Sequence, residues 1–339
     1  MSDKTGISWA NATWNPITGC AKVSQGCKNC YALRDWARLA ANPKTIYHGR
    51  EFTDVRCHPE RLDQPLRWTR SRLIFVNSMS DLFHEDVPDD FIDKVFAVMG
   101  LSGKHTFQVL TKRPERMKAY MASRAKSVEY FERAAREMGY TFKFEFDGKT
   151  HGTLSWPLPN VWLGVSVENQ ETADERIPLL LQTPAAVRWV SAEPLLGPAD
   201  LPGLFFYGTE RTGGVEPLRK HRHPLIDWVV VGGESGPKAR PMNPDWARSL
   251  RDQCAEAGVP FFFKQWGSWE PVARSGAVDA LITMPGQNKD LWAWPGATKD
   301  CWRSGPVSVR VGRNGVSEAL DGREHKEYPK PDGGDHGDV

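Results

Sequence analysis

Short, almost unbroken apolar runs alternate with amphipathic segments along most of the chain. The runs are LIFVN at 73–77, TFQVL at 106–110, VWLGVSV at 161–167, VRWV at 187–190, WVVV at 228–231 and PFFF at 260–263. They are rich in β-branched and aromatic residues, as strands buried on both faces of a parallel sheet are. A further strand is expected near 12–17, which brings the count to about seven. The intervening segments have helical spacing. In VPDDFIDKVFAVMG, Ile92, Val95, Phe96 and Met99 fall on one face. In NPDWARSLRDQCAEAG, Asn243 suits the N-cap, Pro244 the first turn and Gly258 the exit, with Trp246, Leu250 and Cys254 along one stripe. Strands alternating with helices predict βαβ units with right-handed crossovers. The expected fold is α/β, a complete or partial (β/α) barrel of parallel strands. An open doubly wound sheet is the alternative.

Two stretches break this rhythm. Residues 119–158 hold a charged helical segment followed by TFKFEFDGKTHGTLSW, which reads as a hairpin-like insertion. Residues 202–225 read as a second insertion. The expected organisation is therefore a barrel-like catalytic domain over 1–270, an extension over 271–317 and a polar tail over 318–339. The tail is expected to be disordered, because it is polar and holds Gly and Pro.

Composition adds modest constraints. The 339 residues are 40% hydrophobic and 25% charged, an ordinary globular balance. The net charge of +2 says little, but residues 1–72 hold 12 Lys and Arg against 6 Asp and Glu. A basic N-terminal quarter suits an anionic partner such as nucleic acid or a nucleotide, or simply a solvated surface. The 14 Trp are scattered, which suits the core or a cleft, with base stacking open to a few. The start lacks a basic region followed by an apolar run, and no stretch has the roughly 18 consecutive apolar residues of a membrane span. The expected location is the reducing cytosol, with no membrane partner. Clustered cysteines there suggest metal or catalysis rather than disulfides.

Active sites of parallel α/β folds lie at the carboxyl ends of the strands, and these ends are polar here. The run at 73–77 leads into Ser78, Ser80 and Asp81, and that at 106–110 into Thr111, Lys112 and Arg113. The later runs lead into Glu168 and Asn169, Ser191 and Glu193, Glu234 and Ser235, and Lys264 and Gln265. Glu168, Glu193 and Glu234 would converge on one mouth beside Lys112 and Lys264, and these five are the candidate catalytic residues. Gly232 and Gly233 would let backbone approach a ligand closely. Lys238 and Arg240 suit a phosphate or carboxylate, or plain surface exposure. No dinucleotide or P-loop fingerprint is present.

The cysteines carry the most specific signal. Cys20, Cys27 and Cys30 lie in an 11-residue window with spacing C-x6-C-x2-C. Thiolates are the usual ligands of a 4Fe-4S cluster. With only three of them, one iron stays open to an external ligand. S-adenosylmethionine can chelate that iron through its amino and carboxylate groups. Reduction of the sulfonium then yields a 5′-deoxyadenosyl radical that abstracts hydrogen from substrate. Structural zinc is the competing reading, with Cys57 or His58 as fourth ligand. Those positions come 27 or more residues later, with no second CxxC knuckle. Cys254 reads as a small core residue.

The segments NPITGCAKVSQGCKNCYA, HPERLDQPLRW, IFVNSMSDLFHEDVP, LTKRPERM, VSAEPLLGP, VGGESGPKARPM and FFFKQWG resemble the three-cysteine-motif proteins of phages and mobile bacterial elements. The likeness covers roughly residues 6–270. That family is in turn similar to the radical S-adenosylmethionine superfamily, and more distantly to spore photoproduct lyase-like enzymes that act on DNA. The resemblance implies that Cys20, Cys27 and Cys30 hold the cluster. By strand order it puts Ser78, Ser80 and Asp81 at the methionine amino group, and Glu168 and Glu193 near the ribose or the substrate. The first gap of six departs from the superfamily's commonest C-x3-C-x2-C.

The leading expectation is thus a radical S-adenosylmethionine-type iron–sulfur enzyme acting on nucleic acid or a nucleotide, in phage DNA modification or repair, with a partner protein or reductant as a further expected partner. The alternative is a zinc-stabilised, non-catalytic nucleic-acid-binding or defence-associated protein. A barrel hydrolase built on Asp81, Glu168, Glu193 and Glu234 is a third reading, and it leaves the cysteines incidental.

Overall fold

The structure is a computed structural model. It describes residues 5–329 except 126, 128, 142–155, 203, 205–206, 209–220, 223–224, 272–290, 294–306 and 312–316. Seven strands form one sheet: β1 (Ala12–Trp14), β2 (Leu73–Val76), β3 (Thr106–Thr111), β4 (Val161–Ser166), β5 (Val187–Ala192), β6 (Trp228–Gly232) and β7 (Phe261–Gln265). They hydrogen-bond in chain order and every pairing is parallel. Sequential order rules out the doubly wound alternative, in which the order reverses at a switch point. The sheet curls into a half-barrel flanked by helices, a partial β/α barrel.

The helices are α1 (Tyr31–Ala40), α2 (Asp89–Leu101), α3 (Pro114–Arg124), α4 (Glu129–Glu137), α5 (Gln170–Leu181) and α6 (Pro244–Ala257). Asn243 caps α6 by accepting from the Asp245 amide, and Gly258 ends it in the left-handed region at φ 69°. Leu250 and Cys254 of its stripe are fully buried.

Side chains alternate along the strands with period two. Ile74, Val76, Val109, Val165, Val190, Val229 and Val231 belong to the large core under the helices. Phe75, Trp162, Trp189, Trp228, Val230 and Phe262 form a second, aromatic cluster on the concave face, closed by Trp9. Trp189 and Trp228 lie 5.3 Å apart, and Trp9 meets Trp189 at 5.3 Å and Phe75 at 4.8 Å. Gly164 in β4 makes this possible, because a Cβ there would sit 2.5 Å from the Trp189 ring. Trp9, Trp162, Trp189 and Trp228 thus fill the N-terminal half of the barrel lumen and leave its C-terminal half open, while Trp14, Trp68, Trp156 and Trp266 lie in the large core.

Two expectations change. Residues 119–124 belong to α3, a helix of the barrel layer beside α5, and α4 packs on α2. The hairpin-like part of that insertion lies outside the described residues, as does most of 202–225. Of the latter, Tyr207–Gly208 pairs antiparallel with His221–Arg222. The strand Trp269–Pro271, at the end of the barrel domain, forms an antiparallel sheet with Val307–Arg310 and Leu291–Ala293 of the extension, in that order.

The second change concerns the tail. Residues 318–329 are ordered, not disordered. Ala319–Leu320 pairs with Arg323–Glu324 across Asp321 and Gly322, both at positive φ of 53° and 79°. Asp-Gly suits that turn. The chain then runs along β7, where the Phe263 amide donates to the His325 carbonyl at 2.9 Å. Tyr328 stacks on Trp228 at 5.3 Å. A polar segment gains order by covering the edge of β7. Residues 330–339 lie outside the described residues.

Among the described residues, no helix is long and apolar enough to cross a membrane.

Candidate active site

The cysteine loop begins where β1 gives way to the short strand Ile17–Thr18, which pairs with Arg56–Cys57. Gly19 turns the chain at φ 96°, in a place where a Cβ would lie 2.4 Å from the Asp54 carbonyl oxygen. The loop closes in a single tight turn, Gln25–Cys27, and Cys30 is the residue just before the first turn of α1, with its side chain making no capping hydrogen bond. All three sulfurs belong to half-buried residues lining one cavity of about 720 Å³ at the C-terminal mouth of the half-barrel. Burial pushes the Cys20 thiol up to about 12; Asp81 adds to the rise and Arg113, 3.8 Å from the sulfur, opposes it.

The rim residues expected from the strand ends meet around this cavity. Ser78, Ser80, Asp81, Lys112, Glu193 and Lys264 line it, together with Gly233 and Glu234. Glu168 and Gly232 do not: both sit behind the wall. The carboxylates are not free. Glu168 is 1% exposed and accepts from Lys112 Nζ at 2.8 Å, Arg176 at 3.3 Å and Ser24 Oγ at 2.9 Å. Burial alone would raise its carboxyl, but Lys112 and Arg176 overcome that and hold it below the usual range. Glu193 pairs with Lys264 at 2.6 Å. Glu234 takes Arg240 at 2.6 Å and Asn29 Nδ2 at 2.9 Å; these donors outweigh burial and lower it too. Asp81 accepts from Thr111 Oγ1 at 2.7 Å, from the Lys112 amide at 3.1 Å and from Arg113 at 3.3 Å.

These pairs fasten the cysteine loop to the barrel. Ser24 ties it to β4 through Glu168, and Asn29 ties it to β6 through Glu234. Arg240 also reaches the Gln25 carbonyl at 3.0 Å, and Arg113 the Ala21 carbonyl at 3.3 Å. The Gly-Gly turn after β6 serves the same end. A Cβ on Gly233 would lie 2.0 Å from the Trp266 carbonyl, and one on Gly232 3.2 Å from the Glu193 side chain. The close neighbour is thus the chain itself. A bulge between Val231 and Gly232 shifts the β6–β7 register just before these residues.

The model of one protein family matches residues 4–329. The chain belongs to the family described as protein of unknown function DUF5131. Neither the curated proteins nor the solved structures hold a significant match.

One residue of this DUF5131 site escaped the sequence reading. Asn77, the residue after β2, is non-glycine at φ 61° and 3% exposed. Its carboxamide nitrogen and oxygen are both buried without a partner among the described residues. It lines the same cavity. A left-handed backbone and an unpaired buried amide each cost free energy, roughly 1–3 kcal/mol for the amide. Such costs concentrate at ligand sites.

Cys20, Cys27 and Cys30 are the thiols at the mouth that could ligate a cluster. Among the described residues, no three His, Cys, Asp or Glu side chains are grouped to hold one metal ion. A cubane binds each thiolate to a different iron, so its ligands need not converge as zinc ligands do. The fourth zinc ligands weighed from the sequence are elsewhere. Cys57 packs against the main core, and the His58 ring is engaged by Thr18 at 2.8 Å and Glu60 at 3.2 Å. Cys254 is buried on the inner face of α6.

Proposed function

We propose that Cys20, Cys27 and Cys30 hold a 4Fe-4S cluster, that the adjoining cavity takes S-adenosylmethionine, and that the chain is a radical enzyme acting on nucleic acid or a nucleotide. The observation that carries this reading is the meeting of three thiols from one loop with a polar, ligand-sized cavity at the mouth of a parallel half-barrel. When bound, the cluster supplies the single electron that splits the sulfonium and starts hydrogen abstraction.

The chain's own residues then have distinct tasks. Glu168, Glu234 and Arg113 orient the cysteine loop. Asn77, whose amide has no partner among the described residues, offers polar atoms beside the cysteines for the amino-acid end of the cofactor, while the Ser78 and Ser80 hydroxyls, which donate to Asn15 Oδ1 at 3.1 Å and to the Ile17 carbonyl at 2.9 Å, keep their oxygens to accept from its amino group. Lys264, anchored by Glu193, gives a positioned cation on the opposite wall. The aromatic plug below excludes water from the lumen, which suits a reactive radical. Asp81, Glu168 and Glu234 are saturated by cations and amides and Glu193 is ion-paired with Lys264, which argues against a hydrolase, since that needs a free carboxylate base. The reading suits a reducing, cytosolic setting and the phage or mobile-element background that the sequence resemblance implies.

Anaerobic reconstitution should give a brown protein with about four irons per chain. Dithionite and S-adenosylmethionine should then yield 5′-deoxyadenosine. An intact cluster that gives no product sinks the catalytic reading. A colourless protein with stoichiometric zinc would favour the non-catalytic alternative.

A further inference from the structure

Val23 and Tyr31 are the exposed large hydrophobic residues among the described ones, at 46% and 42%. Both stand at the cysteine loop and line its cavity, and the Tyr31 hydroxyl donates to the Ser78 carbonyl, which pins the ring at the mouth with its outer face exposed. The same loop and α1 carry three cations, Lys22, Lys28 and Arg38, all exposed and without an ion-pair partner among the described residues. Most other cations of the mouth are engaged: Lys112 by Glu168, Lys264 by Glu193, Arg240 by Glu234.

A second cavity, of about 510 Å³, opens beside the first and shares Arg34, Asp35 and Ser268 with it. Arg34 and Arg38 stand one helical turn apart on α1 and both line it. Arg34 is held in place by the Ser235 carbonyl at 3.1 Å and by Asp35 at 3.3 Å. Gly236 makes room for it, since a Cβ there would lie 2.1 Å from Arg34 Nη1. Arg310, on the far wall, is fixed by the Gly236 and Pro237 carbonyls. The side cavity therefore holds three guanidinium groups against one carboxylate.

We infer that this rim is a docking surface for single-stranded nucleic acid. Tyr31 stacks one base at the cavity mouth, and Arg38 with its neighbours in the side cavity takes the adjoining phosphate. An exposed aromatic ring interleaved with partner-free cations is what sequence-tolerant strand binding requires. Two compartments with a common wall fit a nucleotide within a strand, where a free nucleotide would occupy only one. The inference rests on the proposed chemistry for what happens after docking, and it narrows the substrate to a polynucleotide.

Reconstituted protein is titrated into a fluorescein-labelled single strand of about 12 nucleotides, DNA and RNA in turn, with anisotropy read against salt. Binding should be measurable at low salt and weaken as salt rises. Tyr31→Ala should weaken it about tenfold, whereas Tyr31→Phe, which keeps the ring, should not. Arg38→Ala should reduce the salt slope by about one. Competing inorganic phosphate and mononucleotide should displace the strand only at far higher concentration. No strand binding at low salt, or equal binding by wild type, Tyr31→Ala and Arg38→Ala, overturns the inference. Iron content is measured in parallel. Strand binding lost with iron retained removes this inference alone; iron absent from a strand-binding protein removes the cluster reading alone.

Discussion

The Glu168 carboxylate packs against the bare backbone of Gly26, where a Cβ would lie 2.4 Å from Oε1. A buried ion pair on β4's exit thus presses on the middle of the cysteine loop, and only a glycine admits it. Gly26→Ala must push either the loop or the carboxylate aside. The expected cost is about 1–3 kcal/mol of stability, with reduced iron uptake. Thermal unfolding and iron per chain check it together; a variant that matches wild type in both removes the coupling.

Replacing each cysteine separately divides them into two groups. Cys20→Ser, Cys27→Ser and Cys30→Ser should each lower iron content sharply on anaerobic reconstitution. Cys57→Ser should leave it unchanged, since Cys57 does not line the cavity. Retention of full iron by any of the first three contradicts the ligand assignment.

Asn77→Gly should stabilise the fold by about 1 kcal/mol, because glycine accepts the left-handed backbone and no unpaired amide remains buried. The same change should depress 5′-deoxyadenosine formation. Stability and activity moving in opposite directions is the expected signature of a residue kept for ligand contact. Unfolding midpoints and product assays on the same preparation decide the matter.

Acid should loosen the cysteine loop through Glu168. Its folded carboxyl titrates below the ordinary 4.5, so the native state binds fewer protons than the unfolded chain between the two values. That stability is fully present above the ordinary value and is lost as pH falls through the native one. Urea midpoints measured from pH 7 downward should fall across this window. Glu168→Gln should start lower at pH 7 and fall less steeply.

Deleting residues from 318 onward should expose the edge of β7 and uncover Trp228. Aggregation on warming, followed by light scattering, is the expected result. Tyr328→Ala should cost about 1–2 kcal/mol without aggregation, since the backbone pairing along β7 remains.

The strands were legible because burial on both faces leaves a local mark: each of β2 to β7 coincides with an apolar run of the sequence. The same holds for α6, whose cap and exit residues are neighbours in the chain. Three cysteines in one loop were likewise visible by spacing alone. Everything that gives the site its character depends on contacts between distant residues. Ser24 meets Glu168 across 144 positions, and Asn29 meets Glu234 across 205. The three glutamates look alike in sequence, yet partners elsewhere turn Glu168 and Glu234 into fasteners of the loop. Asn77 carries no local signal, because a left-handed backbone and a missing partner exist only in the folded chain. The tail misled for the same reason: its polar composition is local, while its order comes from an open strand edge that only tertiary structure supplies.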